Sequence, residues 1–413
     1  MNSLHTIPRF AVPYGIGDCC TAVGAQLEWS PKSADAFRLL LGHRPMFWTS
    51  SGRQALWLML RAMRLPAGAG VAVPLYCDGS MHTAIVAAGL EPVWVDVDQR
   101  TLTMDPDSLA RVRHQVSAIL AVHLFGHLAD MDRILKVADG IPVIEDTAHA
   151  PLSFYDDRLA GTMGVGCLYS FASTKYWPAG GGGLVILNDG DLALRVARDA
   201  ARLRPVGLFA ELRNIMGQAA KSALFHRRVY GMFGHPLRRS AEPHALLEPC
   251  LNTKAILKGQ AAVAVRHAEV FPERVELQRR NSLRLLWRLG TVEHTVLPRE
   301  PQQCRYNYHM FPVLVANREE RDAVAAAMLR RGVDTSRIYC DIVEQAEDLG
   351  YRGGCPVSES VADRILTLPN YASLAARDMD RVAAAFLESL AEVRRAREAS
   401  AAQVQTRKKA AYA

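Results

Sequence analysis

No apolar run in this 413-residue chain approaches the roughly 20 residues that a membrane-crossing helix requires. The N-terminus, Met1-Asn-Ser-Leu-His5, also has no basic segment leading into an apolar one. The expected compartment is therefore the cytosol. Eight cysteines are scattered without a Cys-x-x-Cys pair, which argues against a zinc site or a disulfide framework and leaves free thiols. A Gly-x-x-x-x-Gly-Lys-Ser/Thr phosphate loop is missing, and Gly164-Val-Gly166 lacks the third glycine of a dinucleotide fingerprint. Acid is in short supply: 42 Asp and Glu stand against 49 Lys and Arg, for a net charge of +7. That balance admits an anionic partner, whether a phosphorylated cofactor, a nucleotide-linked substrate, nucleic acid or a lipid surface, without choosing among them. Much of the excess lies between Arg202 and Arg239 and in a tail holding Arg394, Arg395, Arg397, Lys408 and Lys409; the tail reads as a solvated surface.

What is present is 49% hydrophobic and 22% charged, enough for a large core in two domains. From Ser50 onward β-rich runs alternate with helical patterns. Helices are expected at Gln54–Arg64, Ser80–Ala88 and Met131–Ala138. Strands are expected at Val71–Leu75, Pro92–Asp96, Ala118–Val122, Pro142–Glu145, Cys167–Phe171 and Gly183–Leu187. That alternation predicts an α/β fold with a mostly parallel sheet between helices. The chain then turns helical and basic, and a second α/β block follows, with strand Met310–Val315 and helices Arg318–Arg331 and Asp378–Ala391. The expected division is a large domain over 20–255, with a basic helical insertion at about 205–240, a small C-terminal domain over 256–390, and a disordered tail over 391–413.

Two residues point to chemistry. Lys175 lies in the turn after Gly166-Cys-Leu-Tyr-Ser170, and Asp146 ends the apolar strand Ile141-Pro-Val-Ile-Glu-Asp146. A lysine amine can hold the aldehyde of pyridoxal 5'-phosphate as a Schiff base, and a carboxylate can keep the pyridine nitrogen protonated so that the ring accepts electrons. Glu145, its neighbour on the strand, would point to the opposite face. Ser51-Gly52-Arg53 stands before a helix, where unpaired N–H groups and the helix dipole favour a phosphate. The pair His123-x-x-x-His127 has metal-ligand spacing for a helix, but it follows a strand and contains Gly126, so no metal site is expected.

The order Ser51-Gly52, Pro74, His123-Leu-Phe-Gly126, Asp130-Met-Asp132, Glu145-Asp146-Thr-Ala-His149-Ala150, Ser170-Phe-Ala-Ser-Thr-Lys175 and Gly182-Gly183 resembles the DegT/DnrJ/EryC1/StrS family over roughly residues 45 to 385. The resemblance implies fold type I of the pyridoxal-phosphate-dependent transferases. It further implies an aminotransferase that takes an amino group from glutamate or glutamine and gives it to a nucleotide-linked keto sugar. By the same resemblance Lys175 is the Schiff-base lysine and proton carrier, and Asp146 the partner of the ring nitrogen. His149, where many relatives have Gln, would contact the cofactor, while Ser51, Gly52 and Ser170 would hold its phosphate; Arg53, where the family commonly has Thr, would either bind the phosphate through its guanidinium or swing outward and leave the backbone to do so. Asn252-Thr253-Lys254 resembles a motif in which Asn252 and Lys254 reach the partner's cofactor phosphate in a homodimer. No nucleic-acid partner is implied.

Two departures stand out. Many relatives carry a ring-stacking aromatic where this chain has Asp78, so Tyr76 or a shifted loop is left to supply the stack. The interval before Asn252 is also longer, through Arg213–Arg239. There Leu208, Leu212, Ile215, Ala219 and Ala223 are spaced for one apolar helix face beside Arg213, Lys221, Arg227 and Arg228. That helix could pack on its own protein, cover a nucleotide site or rest on an anionic membrane surface. Competing functions are a cyclitol or other keto acceptor, a sugar dehydration, which Lys175 argues against because dehydratase relatives have histidine there, and a non-catalytic regulatory protein that keeps the fold. Acceptor contacts are expected near Tyr339 and on the strand at His309.

Overall fold

A computed structural model describes residues 6–27, 35–236 and 253–411, with side chains to residue 404. Seven strands form the central sheet: β1 (Met46–Thr49), β2 (Gly70–Pro74), β3 (Glu91–Val95), β4 (Val116–Val122), β5 (Val143–Asp146), β8 (Gly166–Ser170) and β9 (Gly183–Leu187). Between β5 and β8 lie two short strands, β6 (Phe154–Tyr155) and β7 (Arg158–Leu159), which form a separate small sheet with β10 (Cys304–Arg305). The order across the large sheet is β1-β9-β8-β5-β4-β2-β3. The neighbours from β3 through β8 run parallel, and β9 is antiparallel to both β8 and β1.

The near-continuous apolar runs of these strands follow from burial on both faces. Along β4, Ala118 and Leu120 enter one hydrophobic core with Ile144 and Leu168, while Ile119 and Ala121 enter another with Ala72 and Val143. Alternation therefore sends Asp146 and Glu145 to opposite faces, as expected.

The C-terminal half has an antiparallel pair, β11 (Phe311–Leu314) with β12 (Ile365–Leu368). Around it the helices Phe271–Leu289, Arg318–Arg330 and Ala376–Ala411 build a third core from Leu285, Phe311, Val313, Val324, Leu366 and Phe386. Ile7 is buried in that same core, and its N–H donates to Gly332 O at 2.9 Å. The N-terminal arm thus belongs to the C-terminal half. Conversely, helix Lys258–Ala268 packs on helix Ile16–Leu27: His267 Nε2 bonds Asp18 Oδ1 at 3.0 Å.

Two expectations change. Of the segment 391–413 read as a disordered tail, the last two residues lie outside the described residues, and residues 391–411 are part of helix Ala376–Ala411. Arg394 holds its first turns to the body by donating to Glu320 at 3.1 and 3.2 Å. In the insertion, helix Leu208–Leu224 does form, but only part of the expected apolar face packs. Leu208 and Leu212 are exposed while Glu211 and Ile215 are buried. The inner side is largely polar because it must satisfy open backbone groups. Glu211 accepts the Lys258 and Gly259 N–H groups at 2.6 and 3.2 Å, Asn214 and Gln218 donate to Gly180 O, and Ser222 donates to Val12 O. No described helix is long and apolar enough to cross a membrane.

Candidate active site

The carboxyl ends of the parallel strands open into a cavity of about 410 Å³. It is lined by Ser51, Gly52, Arg53, Asp78, Asp146, His149, Ser170 and Lys175, and closed from the C-terminal half by Met310, Ile338 and Tyr339. Seven residues expected at the site, Ser51, Gly52, Arg53, Asp146, His149, Ser170 and Lys175, line this one space. Asn252 lies outside the described residues. Lys254 lines a neighbouring cavity with Ser50, Asn214 and Gln218, where its carbonyl accepts Gln54 Nε2 at 3.0 Å.

One wall is the N-terminus of helix Gly52–Met63. Ser51 caps it, its hydroxyl accepting the Gln54 N–H at 3.2 Å, so the earlier N–H groups in the turn point outward without helical partners. The run Gly180-Gly-Gly-Gly183 makes this approach feasible. Gly182 has φ +92, and a Cβ on Gly183 would lie 2.5 Å from the Ser51 carbonyl carbon, so only glycine lets β9 start against the helix cap. The Gly182 N–H donates to Ser50 O at 3.1 Å. Arg53 carries no hydrogen bond or ion pair among the described residues and is half-buried at the rim.

Asp146 ends β5 with Oδ1 accepting the Ala148 N–H at 2.9 Å. Its Oδ2 has no hydrogen bond among the described residues. Burial pushes its carboxyl up, with the Ala148 N–H and the Lys175 charge opposing. A cationic partner for Oδ2 would relieve that burial. On the opposite face Glu145 is fully buried and accepts Gly161, Met163 and Gly164 N–H groups at 2.7 to 2.8 Å and His123 Nε2 at 3.0 Å. Burial pushes its carboxyl up, but these donors outweigh it and hold it below the usual carboxylate range. His127 turns elsewhere, bonding Thr101 O at 3.0 Å and stacking on Tyr306.

Lys175 Nζ lies 2.7 Å from His149 Nε2. His149 Nδ1 accepts the Phe125 N–H at 3.3 Å, so a neutral ring carries its proton on Nε2. Burial, reinforced by the Lys175 and His309 charges, holds this imidazole neutral by pushing it well below its ordinary pKa. His149 therefore turns its Nε2 edge toward the Lys175 nitrogen and fixes where that nitrogen sits in the cavity.

The sequence left the stacking group open between Tyr76 and a shifted loop. Tyr76 is fully buried, its hydroxyl donating to Ile338 O at 2.7 Å, and it does not line the cavity. Asp78 does line it, with Oδ2 at 3.8 Å from Lys175 Nζ. Sequence reasoning missed this pair because strand β2 and the lysine turn meet only in the folded chain. A second cavity of about 580 Å³ continues from Lys175 past Tyr176, Arg274, His309 and Tyr371. His309, named from its strand, is there, with its ring 4.5 Å from that of His149; Arg274 carried no signal beyond its charge.

The sequence profile of the DegT/DnrJ/EryC1/StrS aminotransferase family matches residues 32–387. A UDP-N-acetyl-3-dehydro-alpha-D-glucosamine 3-aminotransferase of Acidithiobacillus ferrooxidans is 28% identical over 348 residues, covering 83% of each chain. A pleiotropic regulatory protein of Geobacillus stearothermophilus is 28% identical over 332 residues, covering 78% of this chain and 79% of its own. The fold is similar to that of the aminotransferase TlmJ from Streptoalloteichus hindustanus, with a TM-score of 0.76, 24% identity and coverage of 94% of this chain and 100% of the other.

Proposed function

This chain belongs to the DegT/DnrJ/EryC1/StrS aminotransferase family, and from that premise we propose that it uses pyridoxal phosphate to move an amino group from glutamate or glutamine to a nucleotide-linked keto sugar. The observation that carries this reading is convergence. A lysine amine, a strand-end carboxylate with an open oxygen and a helix N-terminus with unpaired donors share one cavity. Each group suits one part of the cofactor: aldehyde, ring nitrogen and phosphate.

The donors of Ser51, Gly52, Arg53 and Ser170 would hold the phosphate. Asp146 Oδ2 would keep the ring nitrogen protonated, which also resolves its own unpaired burial. Once bound, the cofactor supplies an electron-accepting ring that stabilises the charge left when a carbon loses its proton. Lys175 Nζ would carry that proton between the substrate carbon and the cofactor's C4′ in each half of the transfer, and His149 Nε2, 2.7 Å away, would orient the amine for the task. The tyrosine and methionine lids, Tyr339 and Met310, limit water at the reacting carbon.

The acceptor class is supported by the name of the Acidithiobacillus relative and by the larger cavity running on from Lys175, where Arg274 can meet an anionic linkage. The same reading makes the active unit a homodimer in which Asn252 and Lys254 reach the partner's phosphate. Lys254 does not line its own chain's Lys175 cavity. Phe209, Leu212 and Met216 lie exposed on the insertion helix nearby, apolar area of the kind that a second copy covers.

The test is an amination assay with glutamate or glutamine as donor and nucleotide-linked keto sugars as acceptors, read by product mass. An amino sugar from at least one nucleotide-linked acceptor is expected. Amination of a keto cyclitol alone would overturn the acceptor class, and no transfer to any acceptor would favour a regulatory role.

A further inference from the structure

Asp78 sits at a junction. It follows β2 and caps helix Gly79–Ala87, Oδ1 accepting the Ser80 N–H at 3.0 Å. That leaves Oδ2 facing the cavity, 3.8 Å from Lys175 Nζ and 3.4 Å from the Tyr339 hydroxyl that donates to it. The lysine nitrogen is thus flanked by an imidazole N–H on one side and a carboxylate on the other.

The other titratable groups around Asp78 are Asp146 and His149 across the cavity, Tyr339 from the C-terminal half, Cys77 beside it in the chain and His82 on its own helix. Burial keeps the Cys77 thiol protonated and the His82 and His149 rings neutral. The Tyr339 hydroxyl stays protonated for the same reason. Charge is therefore shared among Asp78, Asp146 and Lys175. Burial pushes the Asp78 carboxyl up, but the Lys175 charge and the Ser80 and Tyr339 donors outweigh it and hold it below the usual carboxylate range.

We propose that Asp78 is the counter-charge for the nitrogen that Lys175 presents to the cofactor, holding the linkage between them in its protonated form. The inference rests on the function proposed above and assigns a second carboxylate to it. Asp146 serves the ring nitrogen, and Asp78 serves the nitrogen on Lys175. A protonated linkage is the electrophile that an incoming amine attacks, so Asp78 acts as a positioning residue for entry of the amino donor rather than as a stacking surface.

Asp78→Asn tests this without disturbing the fold, because asparagine caps a helix as well as aspartate does. In the protein loaded with pyridoxal phosphate, the pH at which the linkage loses its proton is read by absorption. Removing an opposite charge at this range should lower that midpoint by about 1–3 units. An unchanged or raised midpoint overturns the proposal. A second readout needs no cofactor: the ¹³C resonance of the Asp78 carboxyl, assigned by its loss in Asp78→Asn, is titrated in the unloaded chain. Lys175→Ala should raise its midpoint, and no change there also overturns the pairing. Failure of the wild-type chain to bind the cofactor at Lys175 would count against the proposed function instead, and the carboxyl titration would then decide the pairing alone.

Discussion

Glu145 shows what a single buried charge demands of this fold. Its carboxylate is fully buried and takes three backbone N–H groups and one imidazole, which fixes the 161–164 loop beneath the site. Glu145→Ala leaves those donors without an acceptor and should cost about 3–5 kcal/mol, read as a fall in the denaturation midpoint. The sign with pH follows from its depressed carboxyl. Its stabilisation is full above the unfolded value of about 4.3 and is lost as pH falls below that through the lower folded value. Glu145→Ala should therefore flatten the acid limb of stability. At Asp146, Asp146→Asn keeps the Ala148 bond and loses the charge; kcat should fall on the order of 10²–10³-fold, with folding unchanged by circular dichroism. Both carboxylates were legible in the sequence, because strand alternation assigns their faces from their order alone. Asp78 was legible only as a departure, since its pairing with Lys175 depends on how two strand ends meet.

Among the elements, those with strong local signals matched their expected spans within a few residues, as with β4, β9 and the helix opening at Gly52. Strand β12 (Ile365–Leu368) went unread because three apolar residues and a threonine after a helix carry no distinctive period; only pairing with β11 makes them a strand. Helix Leu208–Leu224 misled for a different reason. Apolar spacing signals a buried face in most helices, but here polar residues were needed inward to cap helix Lys258–Ala268 and hold the Gly180 carbonyl. Glu211→Ala removes that remote cap and should cost about 0.5–2 kcal/mol, measured by thermal unfolding. Replacing Leu212 with a polar residue should leave the stability of the isolated chain nearly unchanged, within about 0.5 kcal/mol, because its side chain is exposed.

At the scale of the whole molecule, the two halves meet at Lys175: the strand ends of the large sheet and the turns that follow them supply Lys175, Asp78 and Asp146, and the C-terminal half supplies Met310, Ile338 and Tyr339. The proposed homodimer adds a third contribution from the partner's Asn252 and Lys254. If so, Lys175→Ala and Lys254→Ala, each inactive or impaired alone, should regain activity when refolded together, because a mixed dimer rebuilds one complete site. No recovery over the separate variants would place Lys254 outside the site. The central claim is that Lys175 holds the cofactor, and one measurement addresses it directly. The chain is loaded with pyridoxal phosphate, reduced with borohydride to fix any lysine linkage, digested and mapped by mass. The account predicts the modification on the peptide containing Lys175, and its disappearance in Lys175→Ala. Modification of another lysine with equal yield, or none in the wild-type chain, would contradict it.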